Sequence, residues 1–407
     1  MSLNRLSSSL RSRTAKESLT LVKQITKDHG ITRVTDVTWM DRIGIPVFVS
    51  IRPNAFKHSL CVNAGKGAKP EEAEIGAYME AVEFDMAAPS PDVTLPTKSP
   101  LEIVKSFQDQ INFYDFCASS IRTIATEDRV AVVEGIEILS GLGPVLVPAE
   151  LVYHPLPNNP GASLYGTSTN GLASGNTLDE ATAHGIAEVM ERHVKSFENV
   201  KKNSYLVDVS NSTSAIKQLL TKIENAGLEC RVRYRENEFG MAYVTAFVME
   251  PNIEQPLPIT SGNGFHPIKE IATIRAISEA VQSRLTHIHG GRDDIMDRVD
   301  HIKNVGREQE LNEVRDYQES IRDSSKSIQY ADIPDFEASI TSIQDALSLM
   351  TNALVNAGMP HIVRVTLSPP EYPFQVVKII IPKAENFENV CRRIGPLLLN
   401  YMTSLLP

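Results

Sequence analysis

The sequence predicts a mixed protein of α/β or α+β class. Helical and strand-like stretches interleave along all 407 residues, three long helices each pair a packed face with a charged one, and no change in composition marks a domain boundary. The chain is 42% hydrophobic and 22% charged, which is globular and sufficient for a sizeable core. Its net charge of -10 argues against nucleic acid or an anionic membrane as partner, so a bound nucleotide would need local Lys or Arg, or a bridging metal. No apolar run reaches the ~20 residues of a membrane span. The start, "MSLNRLSSSLRSRTAKES", lacks the apolar core of a signal peptide. Cys61, Cys117, Cys230 and Cys391 are far apart and form no CxxC pair, which predicts reduced thiols in a cytoplasmic protein.

Taken in order, a first helix is expected over 16–28, ended by Gly30, and "IPVFVSI" follows as a strand. After the glycines of "GKG", Pro70 is a favourable first residue for the helix "PEEAEIGAYMEAVEFDM". "VAVVEGIEIL" and "VLVPAELV" read as strands joined by a Gly-rich turn. Helices are expected over 177–198, 212–226 and 268–288, with "AYVTAFVME" as a strand between the last two. Residues 301–337 are rich in charge and read as an exposed helix or insertion. The amphipathic "SITSIQDALSLMTNALVNAG" is stopped by Gly358, and "HIVRVTLS" and "FQVVKIII" are strands.

The stretch "NGLASGNTLDEATAHGIAEVMER" places Glu180, His184, Glu188, Glu191 and Arg192 within an arc of about 120°, opposite Ala183, Ile186, Ala187, Met190 and Val194. A solvated face is the ordinary meaning of such a pattern. An internal echo counts against it: Glu80 and Glu83 form a second ExxE pair on "EEAEIGAYMEAVE", with Glu72 on the same face. On the third helix Arg275, Glu279, Gln282 and Ser283 share a polar side, while Arg284 falls on the apolar one. Four carboxylates on two facing helices suit a hard cation, and Mg²⁺ commonly shares such oxygen ligands with substrate phosphates. A di-iron site would want ExxH pairs, and zinc hydrolysis an HExxH or Cys/His spacing. His184 alone reads as structural. No P-loop and no GxGxxG after a strand occur. "GLASGNTLDE" sets Ser174, Gly175 and Asn176 before a helix N-terminus, where free N–H groups favour anions, although on spacing alone Thr177 and Asp179 make it an ordinary N-cap. "GKG" offers Lys66 as a weak phosphate match.

These motifs together resemble the YcaO family of ATP-dependent peptide-modifying enzymes. "STNGLASGNTLDEATAHGIAEVMER" is similar to the family's signature helix, and "RTAKESL", "GITRVTDVTWMDRIGIPVFVSIRPNA", "GKGAKPEEAEIGAYMEAVE", "LVPAELV", "SGNGFHPIKEIATIRAISEAVQSRLTHIHGGRDDI" and "VVKIIIPKAE" follow in family order. The resemblance implies the family's ATP fold, with mixed sheets and long helices carrying the ATP and Mg²⁺ site. Residues 1–60 would form its N-terminal part, 61–395 its core with a charged insertion near 301–337, and 396–407 a tail. It implies Glu80, Glu83, Glu188 and Glu191 as magnesium ligands, with Glu191 and Arg192 central to catalysis. It places Ser168, Asn170, Ser174, Arg192 and Gln282 around the nucleotide, with Lys66, Arg284, Arg13 and Ser18 as further pocket members. Arg284 fits that set if its helix meets the pocket from a second side. The implied reaction phosphorylates a peptide amide oxygen, giving an azoline from a neighbouring Cys, Ser or Thr, or a thioamide from an external sulfur donor. The chain ends "LLNYMTSLLP" without the PxPxP tail of many azoline-forming members. "SIRPNA", "GKG", "EAVE" and "RLTHIHGGRDD" look closer to members that work with a TfuA-type partner. His193 stands where an Asp commonly follows the Arg. No fused leader-peptide-binding domain is evident, so a separate recruiting protein is expected, and a homodimer is in keeping with the family. The rival classes are a nucleotide-binding scaffold, which would have no need of both ExxE pairs, and a carboxylate-bridged iron oxygenase.

Overall fold

Local chemistry sets the helix boundaries in a computed structural model that describes residues 3–90, 92–119, 122–125, 127–290, 304–388 and 393–406. Helix α1 (Ala15–Ile25) starts in a capping box between Thr14 and Glu17 and stops short of the expected residue 28. Helix α2 (Pro70–Met86) begins on its proline, and α3 (Pro100–Ser106) in a box between Ser99 and Glu102. In α4 (Leu178–Val200) the Thr177 side chain accepts from the Glu180 N–H. Helix α5 is Ser214–Asn225, and α6 (Lys269–His289) ends on Gly290 in the left-handed region at φ 62°. The remaining helices are α7 (Arg307–Arg322), α8 (Ile343–Asn356) and α9 (Pro396–Ser404). Among the described residues, no helix is long and apolar enough to cross a membrane.

Three sheets underlie these helices. An antiparallel three-stranded sheet runs Arg33–Asp36, Val47–Ile51, Val62–Lys66. A five-stranded sheet has the order Ile259–His266, Ala242–Met249, Glu229–Tyr234, Tyr205–Asp208, Ser327–Gln329, the last pair parallel. A six-stranded antiparallel sheet orders Thr97–Lys98, Val130–Glu137, Val363–Thr366, Gln375–Ile380 and Leu172–Gly175, with Gly143–Pro148 also on Val130–Glu137. The strand Leu172–Gly175 occupies the segment that the sequence marks only as the approach to a helix N-terminus.

Each sheet carries one long helix: α2 on the three-stranded sheet, α6 on the five-stranded, and α4 on the six-stranded. Two of these contacts need glycine. A Cβ on Gly65 would lie 2.1 Å from the Ala73 carbonyl oxygen, and one on Gly264 would lie 2.0 Å from that of Ala272. Helix α7 is mostly exposed, as its charge predicts, but the chain after it is not an excursion. Ser327–Gln329 completes a sheet edge, and Tyr330 and Ile333 join the core beneath α6. Cys61, Cys117 and Cys230 are free thiols. Cys391, residues 301–303 and residues 291–295 of the family-like "RLTHIHGGRDDI" stretch lie outside the described residues.

Candidate active site

Two strand–helix units are built alike at the residue level. In the first, the Ala64 N–H donates to the Glu80 carboxylate sixteen residues on, at 2.6 Å. In the second, the Asn263 N–H donates to Glu279, again sixteen residues on, at 3.4 Å. Glu279 and Gln282 therefore repeat on α6 the spacing of Glu80/Glu83 on α2 and Glu188/Glu191 on α4. The units are also stitched together: Gln282 Nε2 donates to the Ala64 carbonyl at 2.8 Å, and Lys66 Nζ donates to Glu279 at 2.7 Å.

Between α2, α4 and α6 lies a cavity of about 540 Å³. Glu80, Glu83, Glu188 and Glu279 line it together with Arg11, Arg13, Lys66, Arg192 and Arg275, and with Ser18, Ser174 and Gln282. Glu191 is buried at 6% exposure beside this wall. Burial pushes the Glu83 carboxyl up to about 8, opposed by a 2.5 Å hydrogen bond from Ser174 Oγ and reinforced by Glu80 and Glu188. Burial likewise raises Glu188, against the pull of Arg192 and with repulsion from Glu191, and it raises Glu191, with repulsion from Glu279. Glu279 is the exception. Despite burial, the Lys66 ammonium holds it below the usual carboxylate range.

The sequence-predicted residues divide by place. Arg192 lines the cavity and is also bonded to Glu388 at 2.8 Å. Ser168 and Asn170 line a separate hollow of about 30 Å³, where Asn170 Oδ1 has no partner. Lys378, 1% exposed, donates to the Ser168 carbonyl at 2.6 Å and is attracted electrostatically by Glu188. Arg284 does not line the cavity, contrary to expectation. It is buried in ion pairs with Asp41 at 2.9 Å and Glu250 at 2.8 Å, which is why it falls on the apolar side of α6. His193 also packs away from the cavity. Its Nδ1 accepts from the Glu385 N–H at 2.9 Å, its Nε2 meets Glu238, and its ring lies against Phe197 and Phe239.

Arg11, Arg275 and Glu279 are site residues that the sequence reading did not select. Glu279 had a usable signal in its ExxQ register, and Arg275 sits one turn before it. Arg11 had none. His184 lines the cavity, with its Nδ1 unpartnered and its ring held neutral by burial and by the nearby Arg11 and Arg275.

Among the described residues no three acids or imidazoles form a ready-made metal cluster. Glu83 and Glu188, half-buried, and Glu191, buried, nonetheless all have raised proton affinity, the state of carboxylates short of countercharge. An all-oxygen acid set of this kind suits Mg²⁺, and no histidine stands at an iron-ligand position in either ExxE pair.

Residues 64–385 match the family described as YcaO cyclodehydratase, ATP- and Mg²⁺-binding. This chain belongs to the YcaO family. The YcaO match contains α2, α4 and α6 and leaves only the N-terminal hairpin and α1 of the cavity wall outside it. An uncharacterized protein of Methanothermobacter thermautotrophicus is 34% identical over 371 residues, covering 90% of this chain and 92% of its own. A protein of Rhizobium leguminosarum bv. trifolii, described as lying in the tfuA 3′ region, is 31% identical over 387 residues, covering 91% and 88%. The structure of YcaO from Methanopyrus kandleri bound with AMPPCP and Mg²⁺ superposes with a TM-score of 0.74 at 21% identity, covering 97% of this chain and 98% of that one. That superposition establishes the YcaO fold here: mixed sheets with long helices around one cavity.

Proposed function

We propose that this chain uses ATP and Mg²⁺ to phosphorylate the carbonyl oxygen of a peptide backbone amide, and that the product is a thioamide whose sulfur is delivered by a TfuA-type partner. The observation that carries the phosphoryl chemistry is a single cavity, walled by the three family helices, whose lining combines acids with Arg and Lys side chains. The thioamide assignment is supported by the relative in the tfuA 3′ region and by the likeness of "SIRPNA", "GKG" and "EAVE" to TfuA-associated members. A peptide or protein is the second substrate, presented by a separate leader-binding protein, and a homodimer belongs to the same reading.

Bound here, ATP supplies the phosphoryl group that turns a poor oxygen leaving group into phosphate, and Mg²⁺ supplies its countercharge. Glu80, Glu83, Glu188 and Glu191 are the oxygen donors for the cation. Arg192, Arg13, Arg11, Arg275 and Lys66 face the phosphates. Ser18, Ser174 and Gln282 contribute neutral hydrogen bonds. Ser168 and Asn170 act from the loop that Lys378 fixes beside Glu188. Arg284 stands outside this set. The work of the residues is positioning and neutralising charge in a partly desolvated site.

The family description as a cyclodehydratase favours a second reading, azoline formation on Cys, Ser or Thr. Intact-mass analysis of a Cys- and Gly-containing peptide, incubated with protein, ATP, Mg²⁺, sulfide and a TfuA-type protein, separates the two. Exchange of oxygen for sulfur supports thioamidation, and loss of water supports the azoline. ATP-dependent change of neither kind, in protein that binds ATP, would leave the scaffold reading.

A further inference from the structure

Among the described residues, the N-terminal hairpin, Asn4–Arg5 paired with Leu10–Arg11, belongs to no larger sheet. Two residues per strand cannot hold such a hairpin in water. Its order comes from carboxylates, one from the first turn of each site helix, with Glu337 as a second partner of Arg5. Glu72 of α2 accepts from the Ser7 N–H at 3.1 Å and from Ser7 Oγ. Glu180 of α4 accepts from the Ser12 N–H at 2.5 Å. Glu270 of α6 pairs with Arg5. Leu3 and Leu10 add a small apolar seat on Ile268 and Ile271.

So anchored, the hairpin forms one wall of the cavity. Leu6, Ser8, Ser9 and Arg11 all line it. Arg11 also donates to the Ser174 carbonyl at 3.0 Å, and the hydroxyl of Ser174 is the group bonded to Glu83. The hairpin therefore brings a cation to the acids while being held by acids itself. The Arg5 pair is partly exposed, so it contributes little, and the apolar seat is small. A segment held this way opens at far lower free energy than the sheets beneath it.

We propose that residues 3–13 are a nucleotide-coupled lid, released and re-clamped through Glu72, Glu180 and Glu270, with Arg11 as the residue through which a bound polyanion holds it shut. The proposal rests on the cavity being the nucleotide site. Its chemistry is general to a nucleoside triphosphate: closure adds the Arg11 and Arg13 charges to an anion already held by the helices.

Arg5, Arg11 and Arg13 make the hairpin a trypsin target, so nicking there, followed by intact mass, reports the open population. With Mg²⁺ and a non-hydrolysable ATP analogue at about 100 times its Kd, cleavage should slow about a hundredfold. Unchanged cleavage under saturating analogue overturns the lid. In a folded Glu72→Ala/Glu270→Ala protein, stopped-flow release of a fluorescent ATP analogue should be about tenfold faster, with association changed less. Release at the wild-type rate overturns the proposal. If that variant does not fold, the wild-type protection result decides alone. Calorimetry on the same wild-type preparation separates the two levels: absence of any nucleotide binding overturns the reading of the cavity, and the lid with it.

Discussion

Glu83 and Glu279 are glutamates of one cavity, yet they sit on opposite sides of their ordinary titration range. The difference lies in their neighbours. Lys66, then Arg192 and Arg275, pull Glu279 down, whereas Glu83 has a serine hydroxyl, two other acids and only Arg11 among the cations acting on it. In metal-free protein Glu83 rises from 4.5 to about 8, so between those values the folded chain keeps a proton that the unfolded chain has lost. Its contribution to stability is complete below the lower value and is lost as pH rises through the upper one. Thermal melts of metal-free protein between about pH 6 and about pH 9 should fall less steeply for Glu83→Gln than for wild type. Parallel slopes would show that Glu83 is ionised throughout. Glu191→Gln keeps the shape of its side chain but removes a metal donor, and it should abolish Mg²⁺-dependent ATP turnover with an unchanged circular dichroism spectrum. Turnover near the wild-type rate would remove Glu191 from the metal set.

At the scale of elements, Gly65 and Gly264 show why helix and strand can both be correct and the site still incomplete on paper. Long helices with apolar periodicity were legible, as was "AYVTAFVME", because their side chains carry the pattern. The strands Leu172–Gly175 and Ile259–His266 were not. Their Ser, Gly and Asn residues have low strand propensity, and some of those glycines are there to let a helix backbone approach. Register suffered next. Without the strand "ITSGNGFH" the third copy of the ExxE/Q pattern has no frame, so Glu279 reads as part of a polar face. Arg284 was seen as anomalous, but its partners Asp41 and Glu250 are distant in sequence. The charged region after residue 301 conceals a strand of three residues whose pairing partner lies far off in sequence. Gly264→Ala tests the close approach directly. Its methyl would press on the Ala272 carbonyl and should destabilise the protein by about 1–3 kcal/mol, read as a lower urea midpoint at unchanged slope. An unchanged midpoint would mean that α6 can retreat at no cost.

For the whole molecule, the decisive fact is that the three site helices rest on three different sheets. A ligand that touches all three adds a further tie between sheets whose cores already meet beneath the helices. ATP with Mg²⁺ at about 100 times Kd should therefore add about 2.7 kcal/mol to unfolding, seen as a rise in melting temperature that neither component produces alone. Absence of a shift would contradict the nucleotide reading. Because the cavity has no single sheet behind it, its shape is a joint property, much as a keyhole cut where three boards meet. Slight warping of any one board spoils the lock before the box falls apart. Gentle ageing or heating of ligand-free protein should thus erase function well before secondary structure fades, and a preparation judged sound by its spectrum alone could already be inert.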